Sequence, residues 1–290
     1  MWERMIPREK LTDLWEAREC FHRHFRRDLL FVVAEEDGRA VGFLPLAFII
    51  EKNCYGYFPG EVWKGTTWLE QNRLIVRDHG VFSRILEWLG EQEICYHLRY
   101  LTDHPCEDPG QAEVDEIGYL FLPEKYSHSM DRYYGQFPYK SIRAVKREVR
   151  AFEEQGLAYR FDEAADLDLM VRMNLERFGD SSYFADDKFR KGFEALAAFL
   201  RAKGWLRIVT VLINDKPAAV DMGAVYKNVY TLLAGGTSAE FPGIAKVINL
   251  YHMRRACQEN FSEADFLCGD FHWKKMFHLT PRPLYLLSNI

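Results

Sequence analysis

The 290-residue chain has six cysteines (Cys20, Cys54, Cys95, Cys106, Cys257, Cys268) but no Cys-x-x-Cys pair. That absence removes the usual dithiol redox motif and the common zinc modules, and free thiols fit a reducing compartment. No uninterrupted apolar run is long enough to cross a bilayer, so no membrane span is expected. The charged start Met1-Trp2-Glu3-Arg4 leads into no signal-like apolar segment, so a cytoplasmic location is expected. Positive charge is not in excess either. A net charge of −5 argues against a generally nucleic-acid-binding surface and against DNA as a partner, and leaves room only for a local basic patch.

Apolar and aromatic residues are plentiful. The chain is 48% hydrophobic and 15% aromatic, with 21 Phe and 15 Tyr, enough for well-filled cores and too much for a disordered chain. Its length suits two ordinary domains or one large one. Cys95-x-His97 and His104-x-Cys106 are metal-ligating types, but their spacing matches no common zinc module, and no metal is expected. His22-x-His24 falls on a predicted helix, where i and i+2 diverge. No Ser/His/Asp or Cys/His nucleophile arrangement stands out.

The second half reads as strand Ala158–Phe161, helices Ala164–Arg177 and Lys188–Lys203, and strands Trp205–Ile213 and Ala218–Tyr226 joined at Asn214-Asp215-Lys216-Pro217. Strand Val229–Ala234 ends in Gly235-Gly236. Helix Ile244–Glu259, strand Ala264–Cys268, helix Phe271–Phe277 and strand Leu284–Leu287 follow. The first half alternates similarly: helix Arg8–Phe25, strands Leu29–Ala34 and Ala40–Ile50, an aromatic and Gly-rich stretch Gly56–Val76, helix Phe82–Glu91, and strands Ile94–Leu101 and Ile117–Leu122. The repeated order implies two copies of one α/β (α+β) unit, with no residue-level repeat behind it. The expected division is residues 1–135, a degenerate first unit; 136–157, a connecting basic helix; and 158–290, a second unit carrying the site.

Within the connector, Ile142, Val145, Val149 and Phe152 recur at helical spacing, with Lys140, Arg143, Lys146, Arg147 and Arg150 off that stripe. Such a basic face is either simply solvated or a contact for a polyphosphate or RNA, with Arg143, Lys146 and Arg147 the candidates. Further on, Phe241-Pro242-Gly243-Ile244-Ala245-Lys246 places a Pro-Gly turn at the start of a long helix. Helix N-termini carry N–H groups without intrahelical partners, so an anionic donor can sit there, although an ordinary helix start reads the same way. Asp270 fits a general base or a helix N-cap. Asp265 and Asp221, each in a buried strand, call for partners. Lys274 fits an oxyanion-stabilising ammonium or a surface lysine at a helix end.

These segments carry a resemblance. Gly243-Ile244-Ala245 matches part of the pyrophosphate loop of the GNAT acyltransferases, whose fold splits one strand from its parallel neighbour. Glu240 stands where that loop has Gln or Arg, and a carboxylate there opposes a pyrophosphate. Phe241-Pro242-Gly243, Ala264-Asp265-Phe266-Leu267 and Gly269-x-x-x-Trp273-Lys274 resemble the tandem GNAT-like domains of two groups: the acetyltransferase-like proteins of cellulose and exopolysaccharide synthesis, and the Fem-type peptidyltransferases. The basic helix, Trp205–Ile213 and Lys216-Pro217-Ala218-Ala219 resemble theirs too. The resemblance spans roughly residues 138–278 and implies two tandem units, each a mixed, mostly antiparallel sheet flanked by helices.

It further implies transfer of an acyl or aminoacyl group from a coenzyme A thioester or aminoacyl-tRNA to an amine or hydroxyl of a small molecule or a peptidoglycan or polysaccharide precursor. Donor binding falls to Gly235, Gly236 and Phe241 to Lys246, and catalysis to Lys274, Asp270 and Asp265. The competing expectation is a catalytically inactive GNAT-like module that binds a cell-envelope sugar or peptide.

Overall fold

The structure is a computed structural model that describes residues 2–105, 113–269 and 272–290. Its helices are α1 (Trp2–Met5), α2 (Trp15–Phe25), α3 (His79–Glu91), α4 (Met130–Tyr134), α5 (Tyr139–Glu153), α6 (Asp166–Phe178), α7 (Asp187–Ala202), α8 (Ile244–Gln258) and α9 (His272–Met276). The first-half strands are β1 (Leu29–Glu36), β2 (Arg39–Ile49), β3 (Cys54–Tyr57), β4 (Val62–Trp63), β5 (Thr66–Thr67), β6 (Ile75–Val76), β7 (His97–Leu101) and β8 (Glu113–Phe121). The second half supplies β9 (Leu157–Phe161), β10 (Leu206–Ile213), β11 (Lys216–Tyr226), β12 (Val229–Thr237), β13 (Glu263–Asp265) and β14 (Thr280–Ser288).

Three hairpins turn through residue pairs that both have positive φ: Asp37-Gly38, Asn214-Asp215 and Lys227-Asn228. That is the type I′ geometry, whose twist matches the strands it joins. The second half follows its expected elements closely, and β12 runs on through Gly235-Gly236 to Thr237. In the first half the expected helix Arg8–Phe25 is broken. Asp13 accepts the N–H groups of Glu9 and Lys10, both at 2.8 Å, and Leu14 is extended, so a 3-10 turn at Leu11–Asp13 precedes α2. An acceptor that binds N–H groups upstream of itself ends one helical run before the next begins.

Eight strands form one mostly antiparallel sheet in the order β7-β14-β8-β13-β12-β11-β10-β9, and β1-β2-β3 with β6 form a smaller one. The last strand, β14, lies between β7 and β8, which come from the first half. Parallel contact recurs at matching places. β12 pairs with β13 in parallel, and Tyr55 of β3 forms an isolated parallel bridge with Tyr96, the residue before β7. The chain then turns through Phe58-Pro59-Gly60 after β3 and Phe241-Pro242-Gly243 after β12, with both glycines at positive φ. The tripeptide Phe-Pro-Gly thus occurs once in each half, and only the second copy leads into a helix.

Alternation along β10 sorts the core. Leu206 and Ile208 pack toward α6 and α7, while Val209, Val211 and Ile213 pack toward α8. Helix α2 joins the first layer: Phe21 and Phe25 meet Phe189 and Phe193 of α7. The crossing needs Gly192, where a Cβ would come within 2.5 Å of Phe21 Cδ1. On the other face α5 lays Val149 and Phe152 beside Ile244, Val247 and Ile248 of α8.

Candidate active site

β12 and β13 pair only from Val229 opposite Glu263 to Thr231 opposite Asp265. Beyond Thr231 they part. Close to that point β12 holds one extra residue, Leu233, because Gly223 faces Leu232 while Met222 faces Ala234. A bulge takes backbone groups out of the ladder, here at the edge of the opening. The following glycines make room for packing. A Cβ on Gly235 would lie 2.2 Å from Asp221 Oδ1, and one on Gly236 would lie 2.5 Å from the Met170 carbonyl oxygen. Asn174 Nδ2 donates to the Gly235 carbonyl at 2.6 Å and ties α6 to β12.

At the far end of β12 the chain turns into α8 and forms one wall of a groove of about 450 Å³, faced by Trp273 and Phe277. Phe241, Pro242, Gly243, Ile244, Ala245 and Lys246 all line it, and Arg177 flanks it. Gly243 caps α8 at φ +90°, and a Cβ built on it would meet nothing within 4 Å, so the groove is open over the backbone. The N–H groups of Ile244 and Lys246 are taken within the turn, by the carbonyls of Phe241 and Gly243. Glu240 is exposed and does not line the groove, and its N–H donates to Ser238 Oγ at 3.2 Å. Its carboxylate is therefore open to solvent, which screens it.

Lys274 is 2% exposed. Its Nζ donates to the carbonyls of Phe266 and Leu267 at 2.9 Å and of Cys268 at 2.6 Å. Three donors on three carbonyls clamp the loop that follows β13. Burial lowers its pKa, opposed chiefly by the Glu70 charge. Asp265, 1% exposed, has the partners its burial requires: Oδ2 accepts from Gln71 Nε2 at 2.7 Å and Arg282 at 2.8 Å, and Oδ1 accepts from the Leu267 N–H at 2.9 Å. Asp270 lies outside the described residues, as does Phe271, the expected start of α9.

Glu70, unforeseen from the sequence, completes this cluster. Both its carboxylate oxygens accept from the Cys268 N–H, at 3.0 and 2.8 Å. Burial raises its pKa to about 7, aided by the nearby Asp265 charge and opposed by the Cys268 contact and Lys274. Glu70 meets Thr231, Leu233 and Leu267 around a cavity of about 20 Å³, where β12 and β13 separate. That is room for a water-sized group.

Arg143, Lys146, Arg147 and Arg150 of α5 and Arg254 of α8 line a surface groove of about 570 Å³. Lys246, which pairs with Glu148 of α5, stands on the same face of α8 as Leu250 and Arg254, one and two turns along. The basic groove therefore adjoins the groove at the α8 N-terminus. Asp221 finds its partner in α8, where His252 Nε2 lies 2.8 Å from its Oδ2, both side chains buried. Among the described residues no three His, Cys, Asp or Glu side chains gather as a metal site. His97 Nδ1 faces Ser288 Oγ, Cys95 is exposed, and Cys106 lies outside the described residues. No helix among the described residues is long and apolar enough to cross a membrane.

Residues 140–275 match the family described as Acetyltransferase (GNAT) domain. Over this segment, just under half of the chain, the sequence is similar to a GNAT domain. The segment spans α5 to α9 and holds the parted strands, the groove at α8 and the Asp221–His252 pair. No curated protein sequence matches the chain. Solved structures with a similar fold include FemX, at 11% identity and a TM-score of 0.60, covering 98% of this chain and 94% of that one. L-PGS from Bacillus licheniformis gives 10% and 0.56, with 94% and 90% covered. A conserved protein of unknown function from Bacteroides thetaiotaomicron gives 11% and 0.60, with 94% and 89% covered. At such identities the likeness is one of fold. Glu70 lies outside the GNAT match, and no motif around it in the sequence marks it.

Proposed function

We propose that the chain is an acyltransferase whose donor lies along β12, with its anionic part in the groove at the α8 N-terminus and its acyl carbonyl where β12 and β13 part. The observation that carries this reading is the parted parallel pair, with an open helix N-terminus at its mouth. The donor supplies an activated acyl group as a thioester or ester. The open backbone at Gly243, the dipole of α8, Lys246 and Arg177 suit its phosphates.

The acceptor amine or hydroxyl enters at the junction of the two units, where Glu70 takes its proton as the new C–N or C–O bond forms; the donor's C–S or C–O bond breaks, and the departing thiolate or alkoxide takes up a proton from Glu70 or solvent. The bulge at Leu233 exposes backbone groups to the developing oxyanion. Lys274 acts by holding Phe266 to Cys268, and so the Cys268 N–H that orients Glu70. Asp265, tied to Arg282 and Gln71, braces the same loop.

For the donor we favour aminoacyl-tRNA, because five cations line a groove between α5 and α8, beside the proposed donor site. FemX and L-PGS, similar in fold, add support through the Fem resemblance of the sequence. A peptidoglycan or polysaccharide precursor is then the acceptor class. The GNAT match favours a coenzyme A thioester as the second reading. Transfer assays and thermal-shift titrations with tRNA, aminoacyl-tRNA, coenzyme A and acetyl-coenzyme A separate the two. A donor at about a hundred times its dissociation constant stabilises the fold by about 2.7 kcal/mol. Stabilisation by coenzyme A alone would reverse the preference, and no transfer from any donor would leave the inactive binding module.

A further inference from the structure

We infer that a cavity under the C-terminal half of α8 is a second ligand site, which takes a free aromatic amino acid. The cavity measures about 210 Å³ and shares no lining residue with the donor groove. Its inner wall is Ile208, Val209, Tyr230, His252 and Phe261, all buried. An apolar cavity of about 150 Å³ accommodates benzene in another protein, so this one holds a single aromatic ring and a few atoms more.

The walls are built for a ring. Tyr230 stacks on His252 with centroids 5.0 Å apart, and Asp221 holds His252 in place. At the entrance Phe161 is 51% exposed. It stacks 5.8 Å from Tyr251, which lies 4.8 Å from Tyr159. The entrance and the inner wall are therefore both aromatic, the surroundings that favour a further ring.

The mouth carries two cations and two anions, Arg207 and Arg255 against Asp162 and Glu259. Arg255 pairs with Glu259. Arg207 Nη1 donates to the carbonyls of Gly204 and Leu206 at 3.0 and 2.8 Å, and Asp162 Oδ1 accepts the Ile208 N–H at 3.0 Å. Two carbonyls use only part of a guanidinium's five donors, and one N–H only part of a carboxylate's capacity. A balanced, incompletely used set of charges complements a zwitterion better than a net anion or cation. A ring in the depth with ammonium and carboxylate at the mouth is an aromatic amino acid.

Isothermal titration of the full chain with L-phenylalanine, L-tyrosine and L-tryptophan tests this. Saturable one-to-one binding is expected, on the order of millimolar to micromolar for so small a ligand. L-Cyclohexylalanine, which cannot stack, and N-acetyl-L-phenylalaninamide, which lacks both charges, should each bind at least about tenfold more weakly. Phe161→Ala, at an exposed position where folding is not at stake, should weaken binding about tenfold. Tyr251→Ala, checked for an unchanged melting temperature, should do the same. No saturable binding by any of the three amino acids overturns the proposal. So does equal binding of cyclohexylalanine, or indifference to both substitutions.

Discussion

Glu70 and Cys268 stand 198 residues apart in the chain, yet the Cys268 N–H donates to the Glu70 carboxylate at 2.8 Å. One belongs to the first half and the other to the loop after β13, so this contact joins the two units at the point where β12 opens. Substituting Glu70 therefore tests both the chemistry and the junction.

Glu70→Gln preserves shape and a hydrogen-bonding oxygen but cannot take a proton. Transfer should fall about 10²- to 10⁴-fold. The limb of the pH–rate profile that rises near pH 7 should vanish, since the carboxyl titrates at about 7. Stability changes in the opposite sense. Because the folded pKa is raised from 4.5 to about 7, the contribution of this group is fully present below about pH 4.5 and is lost as pH rises through 7. The Gln variant should lack that loss, so its urea midpoint should fall less between pH 5 and 8. A variant of unchanged activity and pH profile would exclude Glu70 as the base.

Lys274→Met keeps the stem and removes the ammonium that satisfies three carbonyls. Leaving buried acceptors without a donor costs about 1–3 kcal/mol each when no water replaces it. A loss of about 3–5 kcal/mol in urea denaturation is expected, together with loss of transfer. Loss of transfer with full stability would instead mark Lys274 as a group that acts on the reacting carbonyl.

Gly235→Ala would set a Cβ 2.2 Å from Asp221 Oδ1. The strand or the Asp221–His252 pair must then shift, and a loss of about 1–3 kcal/mol is expected. The double substitution Gly235→Ala with Asp221→Ala should recover part of it, because the clash needs both side chains; a double-mutant cycle measures that coupling. Strict additivity would mean that Gly235 serves the donor and not the packing.

How much of this could be read from the sequence depended on how local each signal is. The hairpin at Asn214-Asp215, the α8 start at Gly243 and the apolar stripe of α5 are written in neighbouring residues, and their elements lie within a few residues of expectation. Glu70 sits in the stretch Gly56–Val76, whose strands β4, β5 and β6 have two residues each, too short for any period to show. The partners of Asp265, Gln71 and Arg282, arrive from 194 and 17 residues away. The place of β14 between β7 and β8 is likewise a matter of long-range pairing that no local pattern records. Lys274 was visible through resemblance, but its burial was not.

The basic groove gives the last prediction. Arg143, Lys146 and Arg147 are exposed and line it. If it follows a nucleic-acid backbone, log affinity for aminoacyl-tRNA should fall linearly with log salt, by about 0.7 to 0.9 per phosphate neutralised. Replacing all three with Glu should make that slope shallower by about 2 to 3 units and abolish binding at physiological salt. Because these side chains lie on the surface, the melting temperature should hardly move. Lys146, with its Nζ 4.8 Å from the Tyr134 ring, is the one whose loss also removes a local contact, so Lys146→Gln alone serves as the control. A salt response that is flat in the unsubstituted protein would assign the groove to solvent and leave the α8 N-terminus as the anion site for a coenzyme A donor.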